Sequence, residues 1–392
     1  MSYQACKEYL AAIVDGYKKA SKSEKTRILD EAARITGLTR KHLIRMMKES
    51  KESLLRRKAS GRPKKFPRAL LIPHVQFLWI QMERASAKRM RANYSDWLPL
   101  YKAAGFSQEL RLMLEMMSAS TLERILLDIR GSEKVTKGLS LTRCPARYMK
   151  NKVPINTLDA KIDRPGYFQA DTVGHCGDSA AGPFISSVTL TDIYSQWTVN
   201  MAMPSKHGHE VRKCFTKLEA DLAFTILGIN TDSGSEFLNT PVLNFTKNAD
   251  GKSRFIFTRS RPYKKNDNCF VEQKNYTHVR ELFGYERFED PKLVELMNEI
   301  YRDYWNPLQN FFLSTFKLKE KTRVGAKIVK KYGPCMTPYE RLMQSQHLTP
   351  EQKQKLSDQK KQLNPFHLKA ELEKKLENFF NELRKSKVRE AA

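Results

Sequence analysis

The chain has 392 residues, 40% of them hydrophobic, enough for two or three domains with a sizeable core and incompatible with global disorder. Its 70 Lys and Arg outnumber 43 Asp and Glu, giving a formal net charge of +27 that phosphate neutralisation and counterion release would favour. Nucleic acid is therefore the expected partner. No apolar run approaches the ~20 residues of a helical membrane span, and no lipidation signal is present. Residues 1–10 carry no apolar signal-peptide core. An intracellular protein, cytoplasmic and nucleoid-associated, is expected. Cysteines 6, 144, 176, 214, 269 and 335 form no C-x-x-C pair, so they read as reduced thiols rather than a zinc site.

Basic charge is concentrated towards the front. Residues 1–58 read as a helix-turn-helix domain. One helix runs through Ile28, Leu29, Ala32 and Ile35 and breaks at Gly37. Thr39 then begins a second helix containing Leu43, Ile44 and Met47. Arg40, Lys41, Arg45 and Lys48 fall on its outward face, where cations would meet phosphates and base edges of a major groove. Residues 59–68 are a basic, proline-stiffened linker with Arg62 and Lys64, suited either to a narrow minor groove or to simple solvation. Residues 69–131 are helical again and are expected to be a second DNA-binding unit. Ser118 to Ser120 precede its last apolar stripe of Leu122, Ile125 and Leu126. Residues 132–160 form a basic connector (Arg143, Arg147, Lys150, Lys152).

From 161 the texture becomes strand-like. Strands are predicted at 167–174, 184–191 and 196–203, a helix at 209–223, and a strand ending before Asp232. A further strand at 254–258 leads through a polar loop to a helix at 268–283. Three hairpin-joined strands followed by alternating helix and strand predict a mixed α/β sheet with helices on its faces, over 161–310. Residues 311–348 read as a small basic module, with alternation over 316–333. Residues 349–392 read as a charged helical tail interrupted at Pro365.

Three acids carry the chemistry. Asp171 lies mid-strand, where propensity disfavours an acid. Asp232 ends an apolar strand at the carboxyl edge of the sheet, where ligands gather in open α/β folds. Glu272 shares a helical stripe with Cys269, Tyr276, Val279 and Phe283, which places it on the face expected to pack against the sheet. A buried carboxylate needs a cation, and three oxygen donors suit two Mg2+ or Mn2+ ions. Glu236 and Asp192 compete for the second position. Glu236 lies beyond the Gly234 turn as a neighbour, and Asp192 sits in a turn between strands. Asp267 reads as a solvated loop acid, and His175–Cys176 as a turn. Arg259, Arg261, Lys264 and Lys265 form a basic loop ahead of Glu272, expected to touch DNA. Lys274 and His278, at i and i+4 on the outward side of the helix, are further candidates for DNA contact.

The motifs FQADTVGH around Asp171, NTDSGSEF around Asp232 and RPYKKNDNCFVEQKN around Glu272 resemble those of the DDE transposases of bacterial insertion sequences and the retroviral integrases. The separations are 61 (171 to 232) and 40 (232 to 272). The resemblance spans about 160–345, including YWNPLQNFF and TPYERLM. It implies a ribonuclease H-like catalytic core with Asp171, Asp232 and Glu272 as catalytic and metal-holding residues. It also implies divalent-metal dependence, joining of a 3′-hydroxyl to double-stranded target DNA, and a homodimer or higher oligomer that holds two ends together. The amino-terminal His/Cys zinc module of retroviral integrases has no counterpart here, which favours the insertion-sequence branch. A non-catalytic DNA-binding regulator and a ribonuclease H-like nuclease or resolvase are the competing readings.

Overall fold

The computed structural model describes residues 3–55, 66–130, 162–261, 265–324 and 326–391. Arg62, Lys64, Lys264 and the connector cations Arg143, Arg147, Lys150 and Lys152 lie outside the described residues. The chain divides into two compact units, Met1–Lys65 and Phe66–Ala392.

In the first unit, α1 (Tyr3–Lys19), α2 (Lys22–Thr36), α3 (Arg40–Met46) and α4 (Lys51–Leu55) enclose a small core of Leu10, Val14, Leu29, Leu43, Met47 and Leu54. Ser21 opens α2 with a reciprocal capping box to Glu24. Gly37 closes the same helix in the left-handed conformation at φ 70°, which a residue bearing Cβ adopts only at a cost. Thr39 stands at the N-cap of α3 without a side-chain hydrogen bond.

The second unit begins with α5 (Arg68–Gln81), α6 (Ala87–Trp97), α7 (Gln108–Met116) and α8 (Ala119–Arg130). These helices do not stand apart as the sequence predicts. Their buried faces join a single hydrophobic core with the sheet that follows, and the Trp97 indole N–H donates to the Phe312 carbonyl at 3.1 Å.

The sheet comprises β1 (Tyr167–Gly174), β2 (Ser186–Asp192), β3 (Thr198–Met203), β4 (Gly228–Thr231) and β5 (Ile256–Arg259), in the order β3-β2-β1-β4-β5. The β3, β2 and β1 strands pair antiparallel, and β1, β4 and β5 pair parallel. Connecting helices are α9 (Gly208–Asp221) and α10 (Thr240–Phe245). The fold is the mixed α/β sheet expected from the sequence, preceded by an all-helical region and followed by a small hairpin and helices. Next come α11 (Cys269–Lys274), a wide π turn (Asn275–Arg280), α12 (Glu281–Phe283), α13 (Lys292–Glu299), a second π turn (Ile300–Trp305) and α14 (Asn306–Phe312). The basic alternation of 316–333 forms an antiparallel hairpin, β6 (Leu318–Val324) and β7 (Lys327–Tyr332). The chain ends in α15 (Pro338–Gln344), α16 (Pro350–Lys361) and α17 (Pro365–Ala391). Far from being a loose tail, α17 buries Phe379 edge-on against Phe283 and Phe288, at ring separations of 5.0 and 5.2 Å.

β3 is an edge strand, and an edge exposes unpaired backbone groups. Here three asparagines close it. Asn298 bonds both backbone groups of Ala202, Asn306 both of Asn200, and Asn310 both of Thr198. Each amide supplies one acceptor and one donor, as a paired strand would. Replacing the fully buried Asn310 with Leu leaves two backbone groups of Thr198 without partners, a loss of roughly 2–4 kcal/mol by the usual penalty per orphaned group. Urea unfolding of Asn310→Leu should show that loss, and an unchanged midpoint would refute the edge-closing role.

Candidate active site

β1 and β4 run parallel, and their last paired couple is Ala170 with Thr231. Asp171, still within β1, and Asp232, just past the end of β4, are the residues that follow this couple, so parallel pairing carries both acids to the same end of the sheet. The Asp171 Oδ1 accepts from the Thr172 backbone N–H at 2.8 Å, and its Oδ2 accepts from the Asn275 amide at 2.6 Å. The Asp232 Oδ1 accepts from the Gly234 N–H at 2.9 Å. Removal from water, followed by the negative charge of Asp232, pushes the Asp171 carboxyl up to about 8; Glu236 and then Glu272 add to the rise.

The turn after β4 is built tightly around Gly234. A Cβ there would fall 2.5 Å from the Glu236 Oε2 and 2.9 Å from the Asp232 Oδ1, so both carboxylate ends lie against Gly234 and would have to shift to admit a side chain. Glu236 is 8% exposed. Its Oε1 accepts from the Thr172 hydroxyl at 3.0 Å, while its buried Oε2 has no hydrogen-bond partner.

Polar groups fasten the Glu272 helix to this edge. The Gln169 side chain accepts from the backbone N–H groups of Phe270 and Val271, at 3.0 and 3.3 Å, and donates to the Asp267 carbonyl at 2.8 Å. It thereby satisfies amides that the first turn of α11 leaves open. The Asn230 amide donates to the Ser260 hydroxyl and to the Asn268 side chain. Sequence reasoning passed over Gln169, Asn230 and Asn275. Gln169 and Asn230, polar residues in the sheet's central strands, were the available signal.

The predicted stripe on this helix needs correction. Val279 and Phe283 are buried as expected, but Cys269, Glu272 and Tyr276 are exposed. The buried positions of the first half are Val271 and Lys274. The π turn at Asn275–Arg280 inserts an extra residue and rotates the phase between the two halves, which a uniform 3.6-residue period cannot anticipate. Glu272 therefore faces solvent rather than the sheet. Lys274 and His278, expected outward, are buried. The His278 ring packs edge-on against Trp305, and burial holds it well below the ordinary imidazole range.

The predicted basic loop is also reassigned in part. Arg259 ends β5 and is buried. Arg261 grips Asp267 through two guanidinium bonds of 2.9 and 2.8 Å, so Asp267 is a buried structural acid rather than a solvated one. Lys265 begins a 3-10 turn at Lys265–Asn268. Asp192 is buried and accepts from the Gly166 and Ser195 N–H groups and the Ser195 hydroxyl, so it organises the β2–β3 turn. His175 is a core residue stacked on Phe288 at 4.8 Å and bonded to the Ser187 hydroxyl. In the first unit Arg40, Lys41, Arg45 and Lys48 are all exposed, although Arg40 pairs with Asp30 and Arg45 bonds the His42 ring.

The donor set at the sheet edge suits a hard divalent cation. It offers carboxylate oxygens only, one of them orphaned and buried, arranged around a glycine cradle. Among the described residues, no three His, Cys, Asp or Glu side chains gather closely enough to hold one ion between them as they stand. Magnesium is commonly bound by one or two carboxylates with water and substrate phosphate completing the shell, and Asp171, Asp232 and Glu236 meet that smaller requirement.

No family model matches the chain. A relative from Sinorhizobium fredii (strain NBRC 101917 / NGR234), the uncharacterized protein y4rM, is 33% identical over 344 residues, covering 85% of this chain and 94% of the relative. The chain belongs to the y4rM family. Outside the y4rM family, it is similar to the solved catalytic core domain of BIV integrase, with 19% identity and a TM-score of 0.29 over 46% of this chain and 96% of that one. It is also similar to a chain of the simian T-cell lymphotropic virus intasome in complex with the PP2A regulatory subunit B56 gamma. That match has 16% identity and a TM-score of 0.25, over 44% of this chain and 54% of that one. No helix among the described residues is long and apolar enough to cross a membrane.

Burial, together with the cations Arg89 and Arg341, lowers the Lys274 ammonium to about 7. Between pH 7 and the ordinary lysine range the unfolded chain binds the extra proton, so this group makes the fold more stable as pH rises. Lys274→Met should therefore unfold at a higher temperature than the native chain at pH 7, with the gap narrowing towards pH 10. A gap independent of pH would contradict the buried-ammonium account.

Proposed function

We propose that this protein is a transposase of the insertion-sequence type, which binds element ends and transfers 3′-hydroxyl strands into target DNA. The observation that carries the proposal is the convergence of Asp171 and Asp232 on adjacent parallel strands, closely enough that the charge of Asp232 opposes ionisation of Asp171. A protein that only gripped DNA would gain nothing from gathering negative charge beneath a surface of net charge +27.

Asp171 and Asp232 would hold magnesium or manganese at the carboxyl edge, with Glu272 as the third catalytic carboxylate and two ions in the complete site. When bound, such ions activate a water or 3′-hydroxyl and stabilise the leaving 3′-oxygen in an in-line displacement. The chain's own residues orient that site. Asn275 fixes one oxygen of Asp171, the Thr172 and Gly234 amides fix oxygens of Asp171 and Asp232, and Gln169 ties the Glu272 helix to β1. Glu272 stands on the solvent side of that helix, where a DNA substrate would approach. In the first unit, Arg40, Lys41, Arg45 and Lys48 would contact phosphates and base edges. Arg62, Lys64, Lys264 and Lys265 belong to the same proposed DNA-contacting set. Arg259, Arg261 and Lys274 leave it, being buried or engaged within the protein. Two DNA ends joined in concert require at least a homodimer.

Purified protein incubated with magnesium and oligonucleotides carrying the repeats that flank the coding region should give joined products. Asp171→Asn and Asp232→Asn should each reduce joining on the order of a thousand-fold, since a missing metal ligand removes several kcal/mol of transition-state stabilisation. Joining that survives either change would overturn the assignment. Lys41→Ala with Arg45→Ala should weaken binding of unrelated sequences as well, and flatten the salt dependence by about one unit of slope for each phosphate the protein ceases to neutralise.

A further inference from the structure

Glu236 is the acid that the three-carboxylate reading leaves without a task. It is buried at 8% exposure, its Oε1 is held by Thr172, and its Oε2 has no hydrogen-bond partner. A buried carboxylate oxygen left unbonded is destabilising, so a fold that keeps one is expected to use it. The turn that presents Glu236 is firmly placed. Phe237 and Leu238 are buried and bond back to the Gly234 carbonyl, and Phe237 stacks on Phe215 at 6.0 Å. The Glu236 Oε2 and the Asp232 Oδ1 both approach the position a Gly234 side chain would take, at 2.5 and 2.9 Å, so glycine leaves both acid oxygens room on that side. A divalent cation, which favours carboxylate oxygens, matches the charge of this pair.

We infer that Glu236 pairs with Asp232 across Gly234 as a divalent-cation ligand, already in place before DNA binds, whereas Glu272 joins the site from the solvent side. This rests on the metal-dependent strand-transfer reading and adds a further acid to it.

The test is manganese binding to the full-length, DNA-free protein, followed by electron paramagnetic resonance, with thermal unfolding of the metal-free protein alongside. Glu236→Gln keeps the shape and can still accept from Thr172. Its metal-free unfolding temperature should equal or exceed that of the native chain, because one negative charge leaves a crowded edge. Its manganese affinity should fall at least roughly tenfold, the scale on which metal-site substitutions act. Glu272→Gln should change DNA-free affinity by less than about threefold, in keeping with its exposure. Should Glu236→Gln fail to fold, Glu236→Asp, which keeps the charge and shortens the reach, is expected to lose affinity instead. Native affinity in the variant that folds overturns the Glu236 assignment alone, provided Asp232→Asn loses binding. If the native protein binds no manganese, the metal reading itself fails, and this assignment with it.

Discussion

Two carboxylates forced together at one edge of a sheet set the terms for the rest of the second unit. Parallel pairing of β1 with β4 fixes their height, and no side-chain choice can separate them without breaking that register. Burial first, and the charge of Asp232 second, oppose ionisation of Asp171 and push its carboxyl up to about 8. The surrounding amides do not cancel the repulsion. They orient the oxygens, so that a cation entering the site meets donors already positioned.

The helix that follows β5 is held to the same edge by side chains rather than by apolar packing alone. Gln169 completes the backbone bonding of α11, and Asn275, within the π turn, reaches Asp171 directly. The π turn has a consequence for chemistry: it separates the phase of the segment carrying Glu272 from that of the segment packed in the core. Glu272 is thereby left exposed to solvent while Val279 and Phe283 are buried in the core. Anchoring continues outward, since Phe379 of α17 closes over Phe283 and Phe288. The charged carboxyl-terminal helix thus packs against α12, which follows the π turn after α11.

Helices α5 to α8 share one hydrophobic core with the sheet. Edge strand β3 is closed by the three asparagines, which gives the sheet a finished margin without a sixth strand. The cations of α3 sit in a separate compact unit with its own small core.

Much of this was legible in the chain itself. Strand β1 coincides with its expected span, Gly37 ends α2 where its freedom of φ is needed, and Asp232 stands just beyond an apolar strand. These are local features, governed by alternation, turn chemistry and capping over a few residues. What the sequence could not decide were matters of three-dimensional neighbourhood. The wide turn at 275–280 arises within a helix whose local pattern reads as regular, so the exposure of Glu272 and the burial of Lys274 appear only after folding. Asp267 is a loop acid in sequence and a buried ion-pair partner in space, because Arg261 folds back onto it. Glu236 follows Asp232 by four residues and reads as a bystander; only the turn about Gly234 shows its unbonded oxygen buried and lying, like that of Asp232, against the glycine. Periodicity determines which residues share an element, but the phase of a distorted helix and the closure of a turn depend on contacts made across the chain, and those decided which acids meet.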